Sequence, residues 1–507
     1  MRNDESSSSR NPQMTLHVLE PDAAEQRAWL KCMAQAVLTH LENVPSSPAA
    51  GPPGMSGLVV ADDVSVPISE DPLPGGFSAA VTRVMRASEP ALNTASPGYM
   101  AYVPAGGLFT AALAEFLASV LNRYTGIAEM APALVRLESD VLTWLAKEFG
   151  FGPEAAGLFT SGGSLATFTA VVTARAHCLP ENMDLRTAVA YTSTQAHHSV
   201  ARSLAMAGLP ISNVRALDVD ERYRLDPKRL QEAIRRDRTQ GLQPFLVVGS
   251  AGTTNTGAID PLSRLADICA EERMWLHVDA AYGGAFVLCQ DGRTRLQGIE
   301  LADSVTLDPH KGMFLPYGTG CLLVREGSTL RAAYRAHGHY LRDVETDRRE
   351  QAMSPSEHGP ELTRPYRGLR LWLPLMVHGA RAFRESLAEK LRLTDLLHER
   401  LNKLARDGLP LEIVDRPQLT VVPFRMRRLS GETLEEWNRR NELLLEKVNL
   451  RQRVHLSSTV LPVSDGEATT LRVCILSFRT HVEQIEMCIE DIAAASRQIA
   501  VDESRTR

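Results

Sequence analysis

Apolar and polar positions follow two periods along the middle of the chain. Short apolar runs, typical of buried strands, alternate with stretches in which apolar residues recur every three or four positions, as on one face of a helix. The predicted strands span 188–193, 245–249, 275–278, 304–307 and 321–324, and the predicted helices span 165–176, 199–207, 227–235 and 261–272. This alternation predicts an α/β fold with a mostly parallel central sheet covered on both faces.

Helical patterns flank this region on both sides. Helices are predicted at 25–41, 108–121, 132–149, 368–405, 433–448 and 482–499, with strands at 419–425 and 471–478. A stretch rich in proline and glycine at 45–54 predicts a linker, and the charged, interrupted stretch 342–364 predicts a mobile loop. We expect a disordered N-terminus (1–20), a helical segment with a linker (21–95), a large domain (96–375) and a smaller α+β domain (376–507).

The composition is that of a soluble globular protein, with 44% apolar and 23% charged residues among 507. A net charge of −6 provides no basic field, which argues against a nucleic-acid partner. The seven cysteines are scattered without C-x-x-C spacing, so we expect reduced thiols in a cytoplasmic protein, without a disulfide framework or a metal site. No apolar stretch is long enough to predict a membrane span.

A lysine stands inside the apolar stretch SVTLDPHKGMF at 304–314. A buried ammonium loses its hydration, so Lys311 is the first candidate for chemistry, although a lysine that reaches the solvent from a turn is the alternative. Asp279 follows the predicted strand at 275–278, and the chain between the two residues is long enough for a crossover. An acid and an amine at the carboxyl ends of neighbouring parallel strands predict a cofactor crevice.

A glycine- and serine-rich turn precedes the predicted helix at 165–176. Its residues Ser161, Gly162, Gly163 and Ser164 can direct N–H groups and hydroxyls towards an anion at the N-terminus of that helix. The sequence therefore offers a phosphate site, while an ordinary turn remains the alternative.

Five motifs occur in one order along the chain: TSGGS at 160–164, QAHHS at 195–199, AGTTNTG at 251–257, HVDAAY at 277–282 and DSVTLDPHK at 303–311. Together they resemble the group II pyridoxal-phosphate-dependent amino acid decarboxylases, relatives of the aromatic-L-amino-acid and glutamate decarboxylases. The resemblance extends from about residue 97 to residue 478. It implies the aspartate-aminotransferase-like fold (fold type I), pyridoxal 5'-phosphate as the cofactor, and a homodimer with its active sites at the subunit interface.

The resemblance also assigns roles to residues. Lys311 corresponds to the Schiff-base lysine, Asp279 to the partner of the pyridine nitrogen, and His197 to the ring that stacks on the cofactor opposite Ala281. The phosphate and the cofactor rim would be lined by Ser161, Gly162, Gly163, Ser164, Thr254, Asp308 and His310. Taken singly, each of these has an ordinary alternative: His197 and His310 as structural histidines, Thr254 as a turn residue.

The position expected to hold the proton donor departs from the family pattern. The resemblance implies a tyrosine on a mobile loop from the other subunit, before a run that matches GPEL at 359–362, yet this chain has His358 there. His358 is a candidate donor because an imidazolium can protonate a carbanion. Tyr340 is an alternative donor, and a solvated loop histidine is the alternative role of His358. Without a donor, the carbanion is open to oxygen, as in aldehyde-forming relatives.

Substrate identity is weakly encoded. Tyr99 and Tyr102 would form an apolar wall if their loop covers the pocket, which favours an aromatic or bulky side chain. Arg472 lies at a position where the resemblance implies an arginine that binds a carboxylate in glutamate decarboxylases, but arginines at this point also occur in aromatic enzymes. Three hypotheses follow: decarboxylation of an L-amino acid to an amine and carbon dioxide, decarboxylation coupled to oxidative deamination or another reaction at Cα, and a binding protein that has lost catalysis.

Overall fold

The structure, a computed structural model, describes residues 19–50, 64–104, 106–334 and 354–506. The chain forms two compact units, residues 1–92 and 93–507. The predicted disorder at 1–20 lies almost entirely outside the described residues, and so do part of the predicted linker at 45–54, the first part of the predicted loop at 342–364, and Tyr340.

The described residues of the first unit include the helices α1 (Ala23–Asn43) and α2 (Gly76–Ser88). Helix α1 begins at Asp22, whose carboxylate accepts the N–H groups of the first turn, as is typical of an N-cap. The rings of Trp29 and Phe77 stack at 5.3 Å between centroids and join the two helices. No residue of α1 is buried.

The second unit is built on a seven-stranded sheet. Its strands are β1 (Ala156–Thr160), β2 (Ala188–Ser193), β3 (Val214–Leu217), β4 (Gln243–Ser250), β5 (Trp275–Asp279), β6 (Ser304–Leu307) and β7 (Gly320–Val324). The spatial order is β1-β7-β6-β5-β4-β2-β3, in which β7 is antiparallel to both neighbours and all other pairs are parallel. The predicted α/β fold with a mostly parallel sheet is therefore confirmed.

Two strands of this sheet were not predicted. Strand β1 is short and runs directly into the glycine- and serine-rich turn, where turn residues dominate the local pattern. Strand β3 lies at the edge of the sheet and has no fully buried residue, so it lacks the apolar run that marks an interior strand.

Helices cover both faces of the sheet. They are α3 (Phe109–Leu121), α4 (Pro132–Glu148), α5 (Gly163–Cys178), α6 (Ser199–Met206), α7 (Pro227–Thr239), α8 (Leu262–Glu272), α9 (Gln290–Arg295), α10 (Pro309–Gly312) and α11 (Gly327–Tyr334). Neighbouring residues of one strand point to different cores: Val189 and Tyr191 pack in one apolar cluster, Ala188 and Ala190 in another. Burial on both faces explains why these strands read as continuous apolar runs.

The C-terminal part forms a four-stranded antiparallel sheet in the order β10-β11-β9-β8. Its strands are β8 (Leu411–Ile413), β9 (Val421–Met426), β10 (Ser457–Val463) and β11 (Gly466–Cys474), and its helices are α12 (Leu369–Arg406), α13 (Leu434–Asn449) and α14 (Val482–Thr506). Helix α12 is kinked at Gly379, whose φ of 71° is strained for residues with a Cβ. The domain boundary predicted after residue 375 falls inside this helix, close to the kink.

The described end of the predicted mobile loop is joined to α4 by a buried ion pair. Arg364 donates from Nη1 to Glu138 Oε1 at 2.6 Å, and both side chains are buried. Glu138 Oε2 accepts the N–H of Gly368, just before α12. This buried ion pair with a distant helix anchors the end of the segment at residue 364, and the mobility of the loop stays a prediction.

Across the described ranges, no helix is long and apolar enough to cross a membrane. The same residues contain no cluster of three or more histidine, cysteine, aspartate or glutamate side chains placed to hold a metal ion. All seven cysteines are free thiols, and five of them are buried.

Candidate active site

A cavity of about 350 Å³ lies at the carboxyl ends of the parallel strands. It is lined by every residue that the resemblance assigns to the cofactor: Ser161, Gly162, Gly163, Ser164, His197, Thr254, Asp279, Ala281, Asp308, His310 and Lys311. These residues follow β1, β2, β4, β5 and β6 along the chain, and the order of strands in the sheet brings their ends together.

Six further residues line the cavity without having been singled out from the sequence: Leu165, Ser199, Ser250, Gly252, Thr253 and Tyr282. Ser250, Gly252 and Thr253 stand at the end of β4, so their position after a buried strand was the available signal. Ser199 and Tyr282 end two of the recognised motifs.

Lys311 lies on the short helix α10, directly after β6. Its Nζ is 3.1 Å from Asp308 Oδ2, and its side chain is 25% exposed, so it points into the cavity region rather than out to solvent like a snorkelling lysine. Asp308 Oδ1 is buried and has no hydrogen-bond partner among the described residues. A buried carboxylate oxygen without a donor is costly, which indicates that a bound group completes this part of the cavity.

His310 lies near the same oxygen of this carboxylate. Its Nδ1–H donates to the carbonyl of Thr319 at 2.7 Å, and its Nε2 lies 3.8 Å from Asp308 Oδ2. The hydrogen bond to a main-chain carbonyl sets the orientation of the ring at the rim of the cavity.

The side chains of His197 and Asp279 are each oriented by the residue two positions further along the chain. Nδ1 of His197 accepts the N–H of Ser199 at 3.3 Å and lies 2.7 Å from its Oγ, and burial lowers the pKa of His197. A neutral imidazole therefore faces the cavity at neutral pH, as suits stacking on a flat ring. Asp279 Oδ1 accepts the N–H of Ala281 at 3.1 Å, which fixes the carboxylate at the end of β5.

The turn before α5 is closely packed against this set. A Cβ added at Gly163 would lie 2.9 Å from Asp308 Oδ2 and 3.2 Å from Ala281 Cβ, so only glycine fits without displacing its neighbours. Gly162 caps α5, and the first N–H groups of a helix are free to bind an anion. The turn therefore offers a phosphate site within reach of the lysine and the acid.

The donor set fits pyridoxal 5'-phosphate. An amine for the aldehyde, a carboxylate for the ring nitrogen, an imidazole for one ring face and a helix N-terminus for the phosphate line one cavity. The unpartnered oxygen of Asp308 is an independent sign that this cavity is shaped around a bound polar group.

The predicted substrate residues lie outside the lining of the cavity and form a group of their own. Arg472 donates from Nη2 to the carbonyl of Thr254 at 2.6 Å and from Nη1 to Ser457 Oγ at 3.1 Å. Ser457 Oγ also accepts the N–H of Tyr102 at 3.0 Å, while Tyr102 itself is 59% exposed. Tyr99 is buried beside them. The group contacts the lining of the cavity at Thr254, whose carbonyl accepts the hydrogen bond from Arg472. Substrate binding by these residues stays a prediction.

His358 is also outside the cavity in its own chain. It is 6% exposed and hydrogen-bonds to the backbone of Gly157 at the start of β1, and its Nε2 is buried without a partner among the residues that the structure describes. Burial lowers the pKa of His358. The alternative of a solvated loop histidine is therefore wrong, while its role as a proton donor stays a prediction. Tyr340 lies outside the described residues.

Comparison with known proteins agrees with this geometry. A family model described as the pyridoxal-dependent decarboxylase conserved domain matches residues 62–427. The aromatic-L-amino-acid decarboxylase of Bacillus atrophaeus is 36% identical over 405 residues, covering 80% of this chain and 82% of the relative. The enzyme of that name from Bos taurus is 28% identical over 498 residues, covering 93% and 96%.

Among solved structures, the Oryza sativa TDC with PLP and tryptamine matches with a TM-score of 0.85 at 24% identity, covering 95% of this chain and 99% of that one. This likeness supports the fold, and the family match spans more than half of the chain. The chain therefore belongs to the pyridoxal-dependent decarboxylases of group II, and it is a pyridoxal-phosphate-dependent carboxy-lyase of fold type I.

Proposed function

We propose that this enzyme decarboxylates an aromatic L-amino acid to the corresponding amine and carbon dioxide. The observation that carries the proposal is the gathering of Lys311, Asp279, His197 and the glycine- and serine-rich turn in one cavity. The aromatic substrate is supported by the two relatives named aromatic-L-amino-acid decarboxylase. Tyr99 and Tyr102 give weaker support, because they lie next to the Arg472 and Thr254 pair at the edge of that cavity.

Each residue that lines the cavity would have its own role in binding the cofactor. Pyridoxal phosphate, when bound, supplies an electron sink for the charge left at Cα when carbon dioxide departs. Lys311 is the amine that would hold the aldehyde carbon, and Asp279 would hold a proton at the ring nitrogen. His197 would lie against one face of the ring and Ala281 against the other. The turn at 161–164 would hold the phosphate.

The protonation of Cα decides between amine and aldehyde. His358 is our proposed donor, and its uncharged, buried state in its own chain means that it must gain a proton and reach the cavity of a second subunit to act. Tyr340 is the alternative donor. If neither acts, molecular oxygen can accept two electrons from Cα and leave as hydrogen peroxide, while water supplies the oxygen of the aldehyde product and the amino group leaves as ammonia.

A homodimer is part of the proposal. Helix α3 exposes six large apolar side chains, between 36% and 67% accessible: Phe109, Leu113, Phe116, Leu117, Val120 and Leu121. An apolar face of this kind marks an interaction surface, and a second copy of the chain is the proposed occupant. We also propose a cytoplasmic location, which the seven free thiols support.

The experiment is a substrate screen of the purified holoenzyme. L-tryptophan, L-tyrosine, L-phenylalanine and L-glutamate are supplied in turn, and carbon dioxide, amine, ammonia and peroxide are measured. We expect equal amounts of carbon dioxide and amine from an aromatic substrate. Lys311→Ala is the matched control and should lose both turnover and visible cofactor absorbance.

Other outcomes would favour the remaining hypotheses. Aldehyde, ammonia and peroxide in place of the amine would identify decarboxylation coupled to oxidative deamination. Wild-type protein that shows no visible absorbance with the cofactor, and no difference from Lys311→Ala, would identify a protein that has lost catalysis.

A further inference from the structure

A histidine without an assigned role lies directly beneath the proposed partner of the ring nitrogen. His277 is on β5, two residues before Asp279, so both side chains lie on the same face of the strand. His277 is completely buried, with 0% exposure. A histidine at such a depth must be neutral or paired, because a buried imidazolium loses its hydration.

Both ring nitrogens of His277 face hydroxyl groups on the neighbouring strand β6. Nδ1 is 2.9 Å from Ser304 Oγ, and Nε2 is 3.2 Å from Thr306 Oγ1. The indole N–H of Trp275 donates to the same Ser304 Oγ at 2.8 Å. Thr306 Oγ1 is in turn 3.5 Å from Thr167 Oγ1 on α5. These contacts form one buried chain from Trp275 to Thr167.

The donors and acceptors of this chain can satisfy a neutral ring. Trp275 can only donate, so Ser304 Oγ accepts one hydrogen bond from it and keeps its hydroxyl proton and a second lone pair for Nδ1 of His277. Thr306 Oγ1 can likewise donate to Nε2 or accept from it. A neutral ring therefore has a partner for each nitrogen, whichever of the two carries the proton.

Burial acts in the same direction. Burial lowers the pKa of His277 to about 4. The negative charge of Asp279 acts in the opposite direction, because it favours the imidazolium. Ser304 and Thr306, which face the ring from β6, and Thr167 on α5 carry no charge. Asp279 is thus the charged group that acts on His277, and it does not overcome the burial.

The neutral state matters because of what Asp279 must do. Thr306, which bonds to His277, stands opposite Asp279 in the register of β5 and β6. A cation at position 277 would compete for the carboxylate charge that the ring nitrogen needs.

We propose that His277 is a positioning residue that stays uncharged and, through Thr306, fixes the strand pair that carries Asp279, so that this carboxylate remains the counter-charge of the ring nitrogen. The proposal rests on the role proposed above for Asp279. The hydroxyl chain joins β5, β6 and α5. Strand β5 ends at Asp279, β6 precedes Lys311, and α5 begins within the phosphate turn. His277 therefore sets the relative positions of three parts of the site without touching the cofactor.

Two substitutions separate positioning from simple packing. His277→Gln keeps side-chain groups that can bond to the hydroxyls and cannot become a cation, whereas His277→Leu fills the space without any hydrogen bond. In the holoenzyme we expect His277→Leu to lower kcat by about tenfold with a KM within about threefold of wild type, the size of effect seen when supporting partners of a functional group are removed. His277→Gln should restore most of the loss.

The pH dependence of the cofactor absorbance supplies a readout that packing alone would not move. We expect His277→Leu to shift this profile and His277→Gln to leave it near that of wild type, while the melting temperature of each protein reports any general loss of packing. Nitrogen-15 NMR of labelled holoenzyme should show His277 in the neutral form from pH 5.5 to pH 8, as expected for a pKa near 4.

Several results would overturn the proposal. An imidazolium signal in this pH range would contradict the uncharged state. A His277→Leu enzyme that loses only thermal stability, with unchanged kcat and absorbance profile, would reduce His277 to packing. Asp279→Asn keeps this test separate from the proposed function: if that variant is fully active, the role of Asp279 fails, whereas an inactive Asp279→Asn beside an unaffected His277→Leu refutes only the inference about His277.

Discussion

Acid destabilisation of the fold gives a quantitative test of the buried state of His277. Its pKa falls from the ordinary value of 6.5 to about 4 because the ring is buried. Below pH 6.5 the unfolded chain binds a proton at this histidine, whereas the folded chain does not bind one until the pH nears 4. The contribution to stability is therefore complete above pH 6.5 and declines as the pH falls between these values.

The size of the loss follows from the two pKa values. Each pH unit between them removes about 1.4 kcal/mol of unfolding free energy, so roughly 3 kcal/mol is lost by pH 4. At pH 5.5 the expected loss is about 1.4 kcal/mol. This is large against the roughly 5–15 kcal/mol by which folded domains are usually stable.

The assay compares wild type with His277→Gln, which keeps hydrogen-bonding groups and does not titrate. Urea unfolding of both proteins without the cofactor is followed at pH 8 and pH 5.5. The other titrating groups are common to both proteins, so the difference between them isolates His277. We expect wild type to lose about 1.4 kcal/mol more than the variant on acidification. Equal losses would refute the neutral, buried histidine.

Three further predictions concern the site and its support. Gly163→Ala should lower cofactor affinity at least about tenfold, measured by absorbance titration, because its Cβ meets Asp308 at 2.9 Å, whereas the matched control Gly152→Ala has open space and should bind normally. Glu138→Gln should lower the unfolding free energy by about 3–5 kcal/mol in urea, because it leaves a buried arginine unpaired; a loss below about 1 kcal/mol would contradict this. His358→Phe should slow amine formation by about tenfold or more and divert product to aldehyde, and unchanged rates and products would remove His358 from the mechanism.

Local pattern and motif were sufficient for much of the site. Lys311, Asp279 and the turn at 161–164 each follow an apolar strand or precede a helix, and the rule that parallel strands present their carboxyl ends at one edge predicts that they meet. The structure places all of them around one cavity. The α/β fold followed from the same alternation of apolar runs and helical periods.

Packing between distant segments decided the rest. Strand β3 has no apolar run of its own and is held by pairing with β2 at the sheet edge. His358 is buried against the start of β1, and Arg472 is turned towards the Thr254 carbonyl, by contacts that span large distances along the chain.

The sequence by itself predicted which residues meet around the cavity, because apolar period, turn residues and motifs are local properties of the chain. Only the tertiary structure decided that His277 lies between two hydroxyls beneath Asp279, because this depends on the register of β5 against β6. Register and burial arise from the packing of segments that are far apart in sequence, and they set the charge of each titratable group.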